Sequence, residues 1–63
     1  MRSRNPFTYE QAATAKWLVR SQGLYQHEAA ALVGCNQGRV SETLRGKRFP
    51  EAPAENLLNV EIH

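Results

Sequence analysis

The stretch of residues 26–45 reads QHEAAALVGCNQGRVSETLR, and it predicts two short helices joined by a tight turn. Ala30 is small enough to let the two helices approach closely, and Gly34 follows four residues later at the turn itself. Glycine accepts the left-handed backbone of such a turn, whereas a residue with a Cβ does so only at an energetic cost. Val40 then offers a β-branched side chain to the inner face of the second helix. This spacing is typical of two helices that cross at roughly 90–120°.

Helix signals before this stretch predict a further helix. Thr8 and Gln11 have the spacing of a capping box, so we expect the first helix to start at Thr8. Gly23 is placed to end it in a left-handed conformation. Apolar residues recur between these points at helical spacing, and they are Ala12, Ala13, Ala15, Trp17, Leu18 and Val19.

The second helix is expected from Gln26 to Val33 and the third from Gln37 to about Arg45. Their predicted core residues are Ala29, Ala30, Leu32, Val33, Val40 and Leu44. Three short helices with short connections must cross steeply around one small core. The sequence therefore predicts an all-α fold, a small three-helix helix-turn-helix domain over residues 8–49.

The C-terminal tail, residues 50–63, has a different pattern. Residues 58–63 alternate apolar and polar side chains, which indicates a strand, while residues 54–58 are equally compatible with a short helical turn. A lone strand is unstable, so a strand here would have to pair with another chain. We therefore expect residues 54–63 to supply a homodimer contact, either as paired strands or as a packed segment.

Composition limits the class of protein. The net charge is +2, but residues 1–50 carry all eight Lys and Arg with three Glu, which gives +5. Such a basic body suits a polyanionic partner, and it also fits an ordinary scatter of surface charge. We find no apolar run of about 18 residues that could span a membrane, and no signal-peptide core. A length of 63 residues predicts a single domain. The single cysteine, Cys35, cannot form an internal disulfide, and a chain this small without a cross-link fits the reducing cytoplasm or a dimer.

The third helix would have a polar, basic outer face, because Val40 and Leu44 point inward. This face comprises Asn36, Gln37, Gly38, Ser41, Glu42 and Arg45. Amide side chains can bond an adenine edge through both groups, and arginine can do the same with guanine. Three cations that suit phosphate contacts flank the face, namely Arg39, Lys47 and Arg48. The pattern indicates a helix that reads the major groove of double-stranded DNA.

Residues 18–35 (LVRSQGLYQHEAAALVGC) and 37–50 (QGRVSETLRGKRFP) resemble the phage repressor and Cro family, the lambda-repressor-like or XRE-type helix-turn-helix proteins. The resemblance implies a dimeric, sequence-specific repressor of phage or bacterial type, associated with the nucleoid. It also implies a phosphate contact for Gln26. Two features depart from the family. The segment after Pro50 is too short for the one or two further helices that family members usually have, and the carboxylate of Glu42 repels phosphate.

Other functions remain open on the sequence alone. The same outer face would serve a protein-interaction module of a transcription complex, and the chain would also fit the DNA-reading fragment of a transposase or recombinase. Single-stranded RNA binding is disfavoured, because the outer face has no aromatic residue on which bases could stack. We expect no enzyme activity, metal, cofactor or small-molecule ligand, since no glutamate has a nucleophile or histidine at a useful spacing.

Three further expectations concern single residues. Arg2 and Arg4 belong to a flexible basic arm, residues 1–7, that either enters a minor groove or remains an idle terminus. Trp17 is expected to pack in the core. Cys35 is expected to act as a small hydrophobic residue at the turn.

Overall fold

The computed structural model describes residues 6–62, in which three α-helices and no strand are present. The helices are α1 (Tyr9–Arg20), α2 (Gln26–Val33) and α3 (Gln37–Leu44). This architecture confirms the predicted all-α, three-helix fold, and α2 has the predicted boundaries. The proposed minor-groove contacts of Arg2 and Arg4 lie outside the described residues.

Side-chain caps explain where α1 and α3 begin. The Gln11 amide donates to Thr8 Oγ1 (3.1 Å), and the Thr8 amide donates to Gln11 Oε1 (2.9 Å), which confirms the capping box. At the start of α3 the Arg39 amide donates to Asn36 Oδ1 (3.0 Å). Each cap satisfies amides that a helix start leaves without a partner, and such a cap contributes about 1 kcal/mol.

The turn between α2 and α3 has the predicted left-handed glycine. Gly34 caps α2 with φ +81°. Its amide and that of Cys35 both donate to Ala30 O, at 2.9 and 3.0 Å. Gly23 is also left-handed, with φ +75°, but α1 already ends at Arg20. Gly23 therefore shapes the connection to α2 and does not itself end the helix.

Substitution of Gly34 tests how much of the turn depends on this backbone conformation. No neighbouring atom lies within 4 Å of a Cβ built at Gly34, so the cost of a side chain comes from the positive φ. Gly34→Val should lower the free energy of unfolding by about 1–2 kcal/mol. Gly34→Asn should cost less, because asparagine tolerates this conformation. Urea denaturation measures both variants, and equal losses would show that the backbone conformation is not the cause.

The main core fills the space between the three helices. Its buried residues are Ala15, Leu18, Ala29, Ala30, Val33 and Val40, and the half-buried side chains packed on them are Trp17, Val19, Leu24, Cys35, Leu44 and Val60. The core roles predicted for these helix residues, Trp17 and Cys35 included, are therefore confirmed.

Leu32 is the exception, because 41% of it is exposed, so its predicted place in the core is wrong. Successive residues of a helix are separated by about 100°. Ala29, Ala30 and Val33 set the centre of the buried stripe of α2, and Leu32 lies about 100° away from it on that spacing. An eight-residue helix packed against two neighbours buries only that stripe.

A second, smaller core attaches the C-terminal segment to α1. It contains Ala12, Ala13 and Ala52, with Phe7 and Phe49 packed on them. Glu55 N donates to Ala13 O (3.2 Å), and Leu58 N donates to Thr14 Oγ1 (3.1 Å). In the single chain the tail therefore folds back on α1 in turns. Neither alternative considered for it, the strand or the helical turn at residues 54–58, is formed among the described residues.

Lys16 joins this second core, a position that the sequence pattern did not predict. The side chain lies on α1 and the residue is only 5% exposed. Its ammonium group donates to Ala52 O at 2.7 Å and to Phe49 O at 3.4 Å. These bonds hold the segment after α3 against α1, across more than thirty residues of sequence. Phe49 itself adopts φ +47°, a left-handed conformation that this packing maintains.

Candidate nucleic-acid interface

The inner face of α3 is fixed by two buried side chains. Val40 is fully buried and Thr43 is 1% exposed, and Thr43 Oγ1 donates to Arg39 O (2.8 Å). The opposite side of α3 therefore faces outward. Asn36, Gln37, Gly38 and Arg45 are exposed there, and Ser41 and Glu42 are partly exposed. The structure thus brings together on one surface the six residues that the sequence assigned to base contacts, and we call this surface the α3 face.

The amides of the α3 face differ in what they can still bind. Asn36 Oδ1 is occupied by the cap of α3, so its amide nitrogen is the group left for an external partner. Gln37 is exposed, and the cap of α3 is made by Asn36, so among residues 6–62 neither group of the Gln37 side chain is taken up by a hydrogen bond. Bidentate contact with an adenine edge needs both groups. Gln37 is therefore better suited than Asn36 to such a contact.

Glu42 is bound by two arginines. Its Oε1 accepts a hydrogen bond from Arg48 Nε at 2.6 Å and another from Arg39 Nη1 at 3.3 Å. The Arg48 hydrogen bond, together with the two guanidinium charges, holds the pKa of the Glu42 carboxyl below its ordinary value. The carboxylate therefore stays ionised to a lower pH than an ordinary glutamate does. Any stability it contributes is present above the pKa of the unfolded chain and is lost as the pH falls from there through this lowered pKa.

The basic segment after α3 has a defined path. Gly46 is left-handed with φ +79°, and Lys47 N donates to Glu42 O (2.8 Å). Lys47 and Arg48 are exposed beside the α3 face, and Lys16 anchors the residues that follow them. Of the predicted phosphate ligands, Arg39 and Gln26 are partly exposed, and Gln26 opens α2.

Arg20 is a second residue whose position sequence reasoning missed. It ends α1, and its guanidinium donates to Leu44 O at 3.2 Å. Carbonyls at a helix end lack partners within the helix, so this bond ties α1 to the end of α3. The basic last turn of α1 was visible in the sequence, but its partner lies 24 residues away.

The rest of the described surface offers little chemistry. No group of three or more His, Cys, Asp or Glu in residues 6–62 could hold a metal ion. Burial raises the pKa of the Cys35 thiol, which therefore lacks the character of a reactive thiolate. A shallow groove lies between α2 and the tail, lined by Gly23, Leu24, Glu28, Ala31, Leu32, Glu61 and Ile62. None of the described helices has the length and apolar character needed to cross a membrane.

Comparison with protein-family models, with curated proteins and with solved structures found no match for this chain. The resemblance of residues 18–50 to the phage repressor and Cro family therefore stays a prediction.

Proposed function

We propose that this protein is a sequence-specific, double-stranded DNA-binding regulator of transcription, a repressor that reads the major groove with the α3 face. The observation that carries the proposal is the outward α3 face itself. It is polar, exposed and free of large apolar side chains, and Val40 and Thr43 fix its orientation from the buried side. An α-helix fits the major groove, where amide and guanidinium groups distinguish the base pairs. Bases would be read by Asn36, Gln37, Gly38, Ser41, Glu42 and Arg45.

The distribution of charge supports the same surface. Four of the six Lys and Arg residues in the range 6–62 lie within residues 39–48, on α3 or directly after it. The other two, Lys16 and Arg20, bind carbonyl groups of the fold. Cations beside a recognition helix contact phosphates and supply most of the sequence-independent affinity. The proposed phosphate ligands are Gln26, Arg39, Lys47 and Arg48.

The proposed regulator acts in the cytoplasm, on the nucleoid, as a homodimer. Two copies would read two half-sites about one helical turn apart. Residues 54–63 supply the contact between them, through apolar side chains that the tail leaves partly exposed, each by about two-fifths: Leu57, Leu58 and Ile62.

A protein-interaction module of a transcription complex is the second candidate, and the groove between α2 and the tail favours it. Leu32 and Ile62 are both partly exposed there, with Glu28 and Glu61 on its walls. Exposed apolar surface of this kind occurs at protein contacts. DNA binding explains the α3 face and its cations, which the groove does not, so we place it first.

Titration against random and selected duplexes at several salt concentrations tests the proposal. We expect the logarithm of affinity to fall against the logarithm of salt with a slope of about −0.9 per phosphate neutralised. A selected site should be preferred by about 10³-fold or more over random duplex. Equal affinity for all duplexes, or no binding to any of them, would remove the proposed function.

Two exposed residues separate the expected roles. Lys47→Ala should weaken binding to every duplex alike and reduce the salt slope by about 0.9. Gln37→Ala should leave the slope unchanged and relax the preference at one base pair by about 1–3 kcal/mol. Neither side chain is part of either core, so both variants should unfold at the same urea concentration as the parent. Identical losses from the two variants would contradict this division of roles.

A further inference from the structure

Glu42 is the one carboxylate on the α3 face, and its two oxygens are in different situations. Oε1 accepts both guanidinium hydrogen bonds. Among residues 6–62, both contacts to the Glu42 carboxylate are made to Oε1, and Oε2 accepts no hydrogen bond. The Glu42 side chain is 33% exposed. The arginines thus hold one oxygen and leave the other as an acceptor on the surface that the proposed function turns toward DNA.

The charge of this cluster permits a close approach to a duplex. A lone carboxylate would be repelled by phosphates, but here two guanidinium groups accompany one carboxylate, so the cluster of Arg39, Glu42 and Arg48 has a net charge of +1. The Glu42 carboxyl is ionised at neutral pH, as an ordinary glutamate is, so it acts only as an acceptor. The negative charge of Glu42 on this basic surface is therefore compatible with the approach of DNA.

We propose that Glu42 determines specificity by accepting a hydrogen bond from the N4 amino group of a cytosine, so that each half-site contains a C·G pair opposite this residue. In the major groove cytosine presents only a donor, whereas guanine presents acceptors at N7 and O6 and thymine an acceptor at O4. Adenine presents its N6 donor beside the N7 acceptor, which repels a carboxylate. An acceptor-only group therefore selects cytosine. This inference rests on the proposed function, because it assigns a base to the surface proposed to read DNA.

Arg48 is a positioning residue in this arrangement. Its 2.6 Å bond from Nε to Oε1 fixes the carboxylate from outside α3, whereas Arg39 lies three residues away on the helix itself. A purely structural role for this ion pair would be small, because exposed ion pairs contribute little to stability. The ion pair has a larger effect, on base preference, when it orients the Glu42 acceptor toward a base.

The test begins with selection of binding sites by the intact wild-type chain from a library of random duplexes. The selected duplex and its three alternatives at each position are then titrated with the wild type and with Glu42→Gln. We expect the wild type to prefer C at one position of each half-site by about ten- to a hundredfold. Glu42→Gln should lose that preference and gain affinity for A, since a glutamine amide matches the N6 and N7 groups of adenine.

Glu10→Gln is the matched control, because it removes the same charge from the exposed first turn of α1. It should leave the base preference unchanged. Arg48→Ala should lower the cytosine preference as well as overall affinity, whereas loss of a phosphate contact alone would lower affinity and leave the preference intact. Circular dichroism melts check that each variant is folded.

The possible outcomes are distinguishable. If the wild type selects a site but Glu42→Gln keeps every base preference, the role of Glu42 is overturned and DNA reading stands. A wild type that selects no site overturns the proposed function, and the assignment of Glu42 with it. Loss of cytosine preference in Glu42→Gln but not in Glu10→Gln supports the assignment.

Discussion

Leu18→Ala is expected to remove most of the stability of this domain. Leu18 is fully buried in the main core and is the largest side chain among residues 6–62 with that degree of burial. Truncation of a buried leucine to alanine costs about 2–5 kcal/mol, because packing is lost and a cavity remains. A domain of 63 residues has a total unfolding free energy of only about 3–9 kcal/mol. We therefore expect a large unfolded fraction at 25 °C, measured as a shift of the urea midpoint to low denaturant.

Leu32→Ala is the matched control, since it makes the same substitution on α2 at a residue that is 41% exposed. It should cost less than about 1 kcal/mol, because surface substitutions away from special features change stability little. Losses of similar size in Leu18→Ala and Leu32→Ala would contradict the burial described for the main core. They would instead agree with the sequence-based assignment of Leu32 to it.

The wrong assignment of Leu32 separates the parts of the fold that can be predicted from the sequence from those that cannot. Helix starts and the α2–α3 turn depend on local signals, such as the pair Thr8 and Gln11 or the glycine at 34, and these were predicted correctly. The orientation of a short helix depends on its neighbours. In α2 every residue from Ala29 to Val33 is apolar, so periodicity alone could not identify the exposed side.

The tail, too, takes a conformation that depends on contacts with distant residues and not on local signals. Its alternating pattern predicted a strand, but Glu55 and Leu58 form hydrogen bonds to α1 that are made between residues more than forty apart in sequence. Lys16 is buried for the same reason, since its partners are carbonyl groups of Phe49 and Ala52. Every residue has a backbone carbonyl, so the sequence cannot indicate which carbonyls will accept these hydrogen bonds. Such anchors become visible only when the chain has folded.

The α3 face was more accessible to prediction, because helical periodicity decides it once Val40 is placed inside. The ion pair of Arg39 with Glu42 also follows from their spacing of three residues on a helix. The contribution of Arg48 does not, because it depends on the left-handed turn at Gly46 that brings the chain back toward Glu42. The sequence assigned Glu42 and Arg48 separate roles, and the structure brings the two side chains together.

Substitution of a single side chain should have its largest effect on DNA binding at the contact of the proposed homodimer. A standard interface covers about 800 Å² of each partner, which is about a fifth of the 4242 Å² surface of this chain. The partly exposed side chains of the tail, Leu57, Leu58 and Ile62, would form only its centre. We therefore expect a weak dimer in free solution, one that assembles fully on DNA.

Leu58→Lys is expected to separate the two copies without unfolding either of them. The contact of Leu58 with α1 is made by its backbone amide, which the substitution keeps, while 39% of the residue is exposed. Linked binding sites gain about 10²- to 10⁴-fold over either site alone. The variant should therefore bind a duplex with two half-sites about a hundredfold or more weakly than the wild type. Its affinity for one half-site should be unchanged or slightly higher, because the new lysine attracts phosphate.

Leu32→Lys makes the same change of charge and size on α2, at a residue with nearly the same exposure. Sedimentation over a range of concentrations, with duplexes of one and two half-sites, compares the two variants. Loss of the dimer in Leu58→Lys alone supports the tail contact. Loss in Leu32→Lys alone would move the interface to the groove and overturn the role of residues 54–63. A wild type that stays monomeric even on the two-site duplex would overturn the homodimer itself, because the gain from linked half-sites would then have no source.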